Sequence, residues 1–134
     1  MKEEITVQLY IFSVLKTPEQ ITKIVGIPCD KSWRIGDKRG KSILTHKKNA
    51  WALCSNLSNS DSIQEQVEKL LERLSPYKNK IKKISENDNV QFSCIIHTST
   101  SPALHFSMAI MRKICQLGAS LDIDLYLIEP DAPT

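Results

Sequence analysis

The stretch ITVQLYIFSVLKTPEQITKIVG (residues 5–26) contains a strand pattern followed directly by a helix pattern. Apolar side chains alternate with others from Ile5 to Ile11, which predicts a strand with one buried face. Thr17 is then a predicted helix N-cap, and Gln20 stands at the spacing of a capping box. Gly26 predicts the end of a helix of about two turns. A strand and a helix so close together predict a fold of mixed architecture.

The rest of the chain continues this alternation of strands and helices. Strands are predicted at 49–57, 90–96 and 121–127, helices at 62–84 and 107–117, and a loop with at most one short strand at 27–48. Pro76 is predicted to kink or split the longer helix. Its apolar stripe favours packing against a sheet over a short coiled coil.

The predicted fold class is therefore α+β, in the order β-α-β-β-α-β-α-β. It has a mainly antiparallel sheet of four to five strands, with helices packed on one face because the strands alternate cleanly. We expect a single domain over residues 1–134, in which residues 130–134 form a frayed tail.

The composition is that of an ordinary globular domain. The chain has 134 residues, of which 41% are hydrophobic and 25% charged. The net charge of +3 is too small to indicate nucleic acid by itself. The positive charge is concentrated in residues 1–60, which contain ten Lys and Arg against five Asp and Glu.

The sequence predicts a cytoplasmic protein. No stretch near its start resembles a signal peptide, and no apolar run approaches the ~20 residues of a membrane helix. The four cysteines contain no C-x-x-C pair, and Cys54, Cys94 and Cys115 lie in apolar segments. We therefore expect reduced, buried thiols and no contact with a membrane.

Several packing and turn motifs resemble one protein family. These are TPEQITKIVGIP (17–28) with WRIGD (33–37), then LERLSP (71–76), and finally LGASLDIDLY (117–126). Together they resemble the bacterial domain-of-unknown-function family 4279 over nearly the whole chain. The resemblance implies a small bacterial α+β protein, and it brings no activity and no catalytic residues.

The sequence contains no recognisable catalytic, cofactor or metal motif. None of the three histidines, at positions 46, 97 and 105, belongs to an H-E-x-x-H motif, and no G-x-S-x-G or phosphate-binding loop occurs. His97 and His105 could meet Cys94 or Asp124 in space, but their spacing does not indicate a zinc site. We predict no catalytic residues, no cofactor and no metal.

The segment 31–48, called the basic segment below, is the most unusual part of the chain. It contains seven Lys and Arg and one acidic residue, Asp37. Trp33, Arg34, Asp37, Lys38 and Arg39 are candidate partner-binding residues, because an aromatic ring among cations could contact an acidic surface or stack on a base. The alternative is a solvated loop that Trp33 anchors to the core.

A second candidate surface is the sheet face opposite the predicted core. The alternation places these candidate residues on it: Tyr10, His97, Asp122, Asp124 and Tyr126. Exposed Tyr side chains are good anchors for a protein partner, and the two Asp residues would repel phosphate. The alternative is that a loop or the kinked helix covers this face.

Three function classes remain open at this point. The first is a non-enzymatic protein-interaction domain, in particular an immunity protein that neutralises a toxin. Its partner would be a protein with an acidic surface, and a homodimer through the open sheet face is a further partner hypothesis. The alternatives are a nucleic-acid-binding module that uses residues 31–48, and a small enzyme whose site would contain His97 and Asp124 in a pocket.

Overall fold

The computed structural model describes residues 3–55 and 62–129. Its strands are β1 (Glu4–Ser13), β2 (Lys31–Trp33), β3 (Asn49–Cys54), β4 (Asn89–Thr98) and β5 (Ser120–Leu127). Its helices are α1 (Pro18–Val25), α2 (Ile63–Leu74), α3 (Lys78–Ile84) and α4 (Met108–Gln116), with a 3₁₀ turn at Ser75–Tyr77. The predicted α+β class and element order are confirmed. Residues 56–57 of the third predicted strand, and the predicted tail 130–134, lie outside the described residues.

The five strands form one sheet in the order β2-β3-β1-β4-β5. Three neighbouring pairs are antiparallel, and β4 pairs with β5 in parallel. The parallel pair follows from the chain path, because α4 returns the chain to the starting end of β4 before β5 begins. The sheet is therefore mixed and mostly antiparallel, with the longest strands in its middle.

Local side-chain signals fix the helix boundaries. Thr17 and Gln20 form the reciprocal capping box of α1, and Gly26 ends that helix at φ 95°. Ser62 and Ser107 cap α2 and α4 through their hydroxyl oxygens, which accept backbone N–H bonds. Each of these caps stands where the sequence predicts it.

The long predicted helix is divided at Pro76. α2 ends at Leu74, a 3₁₀ turn includes the proline, and α3 begins at Lys78. The proline has no N–H to continue the α-helical ladder, and a tighter turn fits its fixed φ. The apolar stripe continues through the break, since Leu70, Leu74 and Ile81 are fully buried.

The core lies between the sheet and all four helices, which pack on one face. Its largest fully buried side chains include Trp51 on β3, Phe92 on β4 and Leu9 on β1. The indole N–H of Trp51 donates to the hydroxyl of Thr22, 2.9 Å away, and so satisfies the polar atom of a buried ring. The packing of the α2 stripe against the sheet, rather than in a coiled coil, is confirmed.

Two expectations about α4 and β5 are wrong. Cys115 is exposed on α4 rather than buried, as is Met111, and the buried stripe of this helix consists of Ile110, Ile114 and Leu117. The helices also fail to cover β5, because it lies at the sheet edge beyond the strands beneath them. The expectation of buried thiols holds for Cys94 alone.

Candidate binding surface on the open face of the sheet

The sheet face that the helices leave uncovered is called the open face. The strand register sets Tyr10 beside Gln91, Ser93 beside Asp122, and His97 beside Tyr126. All five face residues named from the sequence therefore share this face, as the alternation predicts. They do not form one site, however, because Tyr10 lies six residues along β1 from Glu4, the partner of His97, which is roughly 20 Å.

One end of the open face holds an aromatic cluster of Tyr10, Phe12, Trp33 and His46. Tyr10 and Phe12 stack with ring centroids 5.2 Å apart, and Trp33 lies within 6.3 Å of both. His46 stacks on the indole at 4.2 Å. Stacked rings hold the start and the end of the basic segment to β1.

Tyr10 is not the exposed anchor that the sequence suggests. It is only 7% exposed, because Phe12 and Trp33 pack against it. The ammonium of Lys31 donates to its hydroxyl over 3.3 Å and lies 5.6 Å from the Trp33 ring. Tyr10 is therefore buried beneath Trp33, whereas Trp33 and His46 remain partly exposed to solvent.

The basic segment forms a hairpin whose residues, except Trp33 and His46, are all exposed to solvent. After β2, the N–H of Gly36 donates to the carbonyl of His46 and that of Arg39 donates to Leu44, each over 2.9 Å. Lys38 and Thr45 form an antiparallel bridge. Gly36 and Gly40 have φ of 92° and 63°, the left-handed region that favours glycine. The backbone hydrogen bonds of the hairpin therefore hold the Lys and Arg residues of the basic segment in fixed positions.

Two candidate partner-binding residues of the basic segment, Asp37 and Arg34, form contacts within the fold. A carboxylate oxygen of Asp37 accepts the backbone N–H of Arg34 at 2.8 Å, so it closes the turn. The Arg34 guanidinium pairs with Glu19 of α1, and this hydrogen bond lowers the pKa of the Glu19 carboxyl. Arg34 is therefore partly neutralised within the fold.

The remaining cations of the hairpin have no acidic partner in the part of the chain that the structure describes. Lys38, Arg39, Lys47 and Lys48 are all exposed, and none forms an ion pair with a described residue. The last three line an open cleft of about 570 Å³ together with Phe12, Trp33, Leu44, Thr45 and His46. This cleft combines uncompensated positive charge with two stacked rings.

The other end of the open face is acidic. His97 and Tyr126 stack at 4.9 Å, and Tyr126 is 52% exposed. Asp122 and Asp124 lie on β5, four strand spacings from β2, which is about 19 Å. Since the Debye length is ~8 Å at physiological ionic strength, these carboxylates hardly weaken the field of the basic segment. The repulsion of phosphate expected from the sequence is therefore confined to this end.

Two buried polar atoms of the open face lack a hydrogen-bond partner among residues 3–55 and 62–129. They are the Oε1 atom of Gln8 and the Nδ1 atom of His97. A buried polar group without a partner costs roughly 1–3 kcal/mol. Such atoms are normally paired with a protein group or an ordered water molecule.

Within the described ranges no three His, Cys, Asp or Glu side chains are placed to hold a metal ion. Burial raises the pKa of the Cys94 thiol to about 12. His105 is exposed in the connection before α4. Among the described residues no helix has the length and apolar character that crossing a membrane requires.

A second group of cations went unnoticed in the sequence. Four lysines of α3, at positions 78, 80, 82 and 83, are exposed on the helical side of the molecule. They alternate with the buried Ile81 and Ile84, which hides them within an ordinary amphipathic pattern. Among the described residues no lysine of this cluster lies over an aromatic ring, so the cluster serves as an internal control for charge alone.

Comparison with protein families shows which family the chain resembles. The model of DUF4279, described as "Domain of unknown function (DUF4279)", matches residues 3–128. The chain belongs to this family. The match includes all the strands and helices described above, and it confirms the resemblance noted in the sequence. Neither the curated proteins nor the solved structures provide a significant match.

Proposed function

We propose that this member of DUF4279 is a non-enzymatic binding domain whose basic segment docks an acidic protein surface. The observation that carries the proposal is the cleft between Trp33, His46 and the unpaired cations Arg39, Lys47 and Lys48. Aromatic rings supply contact area at low entropic cost, and surrounding cations steer an acidic partner to them.

The ordered hairpin supports binding over a purely structural role. Seven cations in one segment repel each other, and Arg34 alone forms an ion pair there among the described residues. The backbone ladder that holds Gly36, Arg39 and His46 keeps this charge in a fixed shape. A preformed surface loses little entropy when a partner binds.

The more specific form of the proposal is an immunity protein that neutralises a toxin in the cytoplasm. It rests on the same cleft, since blocking a partner requires only a complementary surface and no chemistry. Cells that produce the captured partner should survive with the wild-type domain and die with the charge variant described next.

The proposal is tested with matched charge variants. Replacing Arg39, Lys47 and Lys48 with Gln removes three charges from the cleft, and replacing Lys78, Lys82 and Lys83 removes three from α3. Affinity capture from native lysate with the wild-type domain supplies the partner, whose association rate is then measured at low and high salt. We expect the cleft variant to associate about tenfold or more slowly at low salt, and the α3 variant to match the wild type.

Two results would overturn the proposal. One is an equal loss of rate in both variants, which would show that net charge alone matters. The other is a wild-type association rate for the cleft variant at low salt. Thermal unfolding of all three proteins checks that the fold is intact, since exposed charges change stability by less than ~1 kcal/mol.

A nucleic acid is the second candidate partner, and the stack of His46 on Trp33 favours it. Single-stranded nucleic acids combine phosphate contacts with bases stacked on aromatic side chains. The acidic end of the face lies about 19 Å away, so it does not prevent this binding. Titration of Trp33 fluorescence with single-stranded RNA and DNA tests it; a change that weakens steeply with added salt would select nucleic acid over protein.

A further inference from the structure

The edge strand β5 carries an uncovered apolar face. It uses one edge to pair with β4, so the other edge of its eight residues faces outward. Its side chains on the helix side of the sheet are apolar and 36–74% exposed: Leu121, Ile123, Leu125 and Leu127. Two common protections of an edge strand, a proline and a short length, are missing from β5, and its only charged side chains, Asp122 and Asp124, point to the open face.

The opposite edge of the same sheet is protected in the usual way. β2 has three residues, begins with Lys31 and continues into the basic segment. Short length and positive charge both discourage pairing with another strand. The contrast between the two edges indicates that β5 is left free for a contact.

The flank of α4 extends this apolar surface. Lys113 and Gln116 face α2 across one cleft. Met108, Met111 and Cys115 line a second open cleft of about 400 Å³, together with Arg112 and Gln116. Lys113 faces α2, which lies over β1, and β5 is two strands beyond β1, so Met111 and Cys115, on the flank of α4 opposite Lys113, are on the side of β5.

We propose that β5 pairs antiparallel with β5 of a second copy of this chain. The exposed residues of β5 and α4 form a patch on the order of 600 Å² per copy, near the ~800 Å² per partner of a standard interface. A two-fold axis between the paired strands would join the two five-stranded sheets into a single ten-stranded sheet. Both copies then contribute the same surface, as in most homodimers.

The two aspartates of β5 select the register of this pairing. An axis through Ile123 would set Asp122 opposite the second copy's Asp124, and an axis through Asp124 would oppose that residue to itself. Like charges directly opposite each other destabilise a strand pair. An axis through Leu125 places Asp124 opposite Tyr126 and Ile123 opposite Leu127, which removes the conflict.

A second copy covers this surface better than a single extended peptide. A peptide strand would complete the sheet edge and leave the methionines of α4 in water. The two-fold axis instead brings the second α4 to the same side of the joined sheet. Met111 and Cys115 of each copy then face those of the other, so both apolar flanks are covered.

Sedimentation velocity over a concentration series tests the dimer. We expect the wild-type chain to be dimeric with a Kd in the ~µM range. Leu125→Lys should raise this Kd at least tenfold, because it places two charges on the axis. Leu15→Lys, at an 88% exposed position outside the interface, is the control and should leave the Kd unchanged. A wild-type chain that stays monomeric at several hundred µM, or an unchanged Kd for Leu125→Lys, would overturn the proposal.

Disulfide crosslinking tests the register independently of the lysine variant. In a background with Cys115→Ser, oxidised Leu125→Cys should crosslink two copies, because residues opposite each other on paired strands have Cα atoms ~4.5–5.5 Å apart. Leu121→Cys is the matched control, since the register sets it opposite Glu129 and too far from its own copy. Equal crosslinking at both positions, or crosslinking at 121 alone, would contradict this pairing.

Discussion

Gly118 is the glycine at which the fold leaves least room for a side chain. Its φ is 68°, and a Cβ built there would lie 2.0 Å from the hydroxyl oxygen and 2.6 Å from the Cβ of Ser85. Gly118 joins α4 to β5, and Ser85 caps the end of α3, so the clash would push these elements apart. We predict that Gly118→Ala is among the most destabilising alanine substitutions outside the core.

The magnitude follows from two separate costs. A left-handed backbone costs an L residue roughly 1–2 kcal/mol. Overpacking adds typically ~1–3 kcal/mol when neighbours must shift. Gly36, with φ 92° and nothing within 4 Å of its hypothetical Cβ, bears only the first cost. Gly118→Ala should therefore lose ~1–3 kcal/mol more than Gly36→Ala.

Urea denaturation of both variants measures this difference. Adding Ser85→Gly to Gly118→Ala should restore most of the extra loss, because it removes the two nearest atoms that the new Cβ meets and leaves only Lys82 Cδ, 3.2 Å away on a flexible side chain. The double-mutant cycle then yields a coupling energy between the two positions. Equal losses for Gly118→Ala and Gly36→Ala, or no coupling with Ser85, would refute the close approach of α3 to this turn.

Three further predictions concern the core, an ion pair and the thiols. Leu70→Ala should cost roughly 2–5 kcal/mol in urea denaturation because Leu70 is fully buried, whereas a loss below ~0.5 kcal/mol would mean that its face is exposed. The hydrogen bond from Arg73 lowers the pKa of the Asp30 carboxyl, so the wild type should be more stable than Asp30→Asn above pH 3.8 and should lose this advantage as the pH falls. A stability difference that does not change with pH would contradict the Arg73–Asp30 ion pair. At pH 8, and diluted well below the Kd of the proposed dimer, the native protein should be modified by a thiol reagent at exposed Cys115, and at Cys94, whose pKa is about 12, only after unfolding, as mass spectrometry can show.

Much of the fold is predictable because its signals are local. Thr17, Gln20 and Gly26 fix α1 through contacts within a few residues, and Pro76 breaks the helix through its own missing N–H. Alternation along each strand assigns side chains to faces without knowledge of the strand order. The shared face of Tyr10, His97 and Tyr126 could therefore be predicted.

The parts that the sequence does not predict depend on contacts between distant segments. The periodicity of α4 does not decide whether the flank with Met111 and Cys115 is buried. These residues are exposed because β5, the strand on that side, lies at the sheet edge with no further element beyond it among the described residues. The partner of Arg34 is Glu19, fifteen positions earlier on another element. The β-bridge between Lys38 and Thr45 is likewise not predicted by the sequence, apart from the turn glycines Gly36 and Gly40 near it.

The central claim is that a partner docks on the basic segment of the open face. Hydrogen exchange of the domain, alone and in complex with its captured partner, tests this claim most directly. We expect slower exchange in the complex than in the free domain for peptides covering residues 31–48, where the backbone N–H groups of Gly36 and Arg39 already donate hydrogen bonds. Slower exchange confined to α3, or to α4 and β5, with residues 31–48 unchanged, would contradict it.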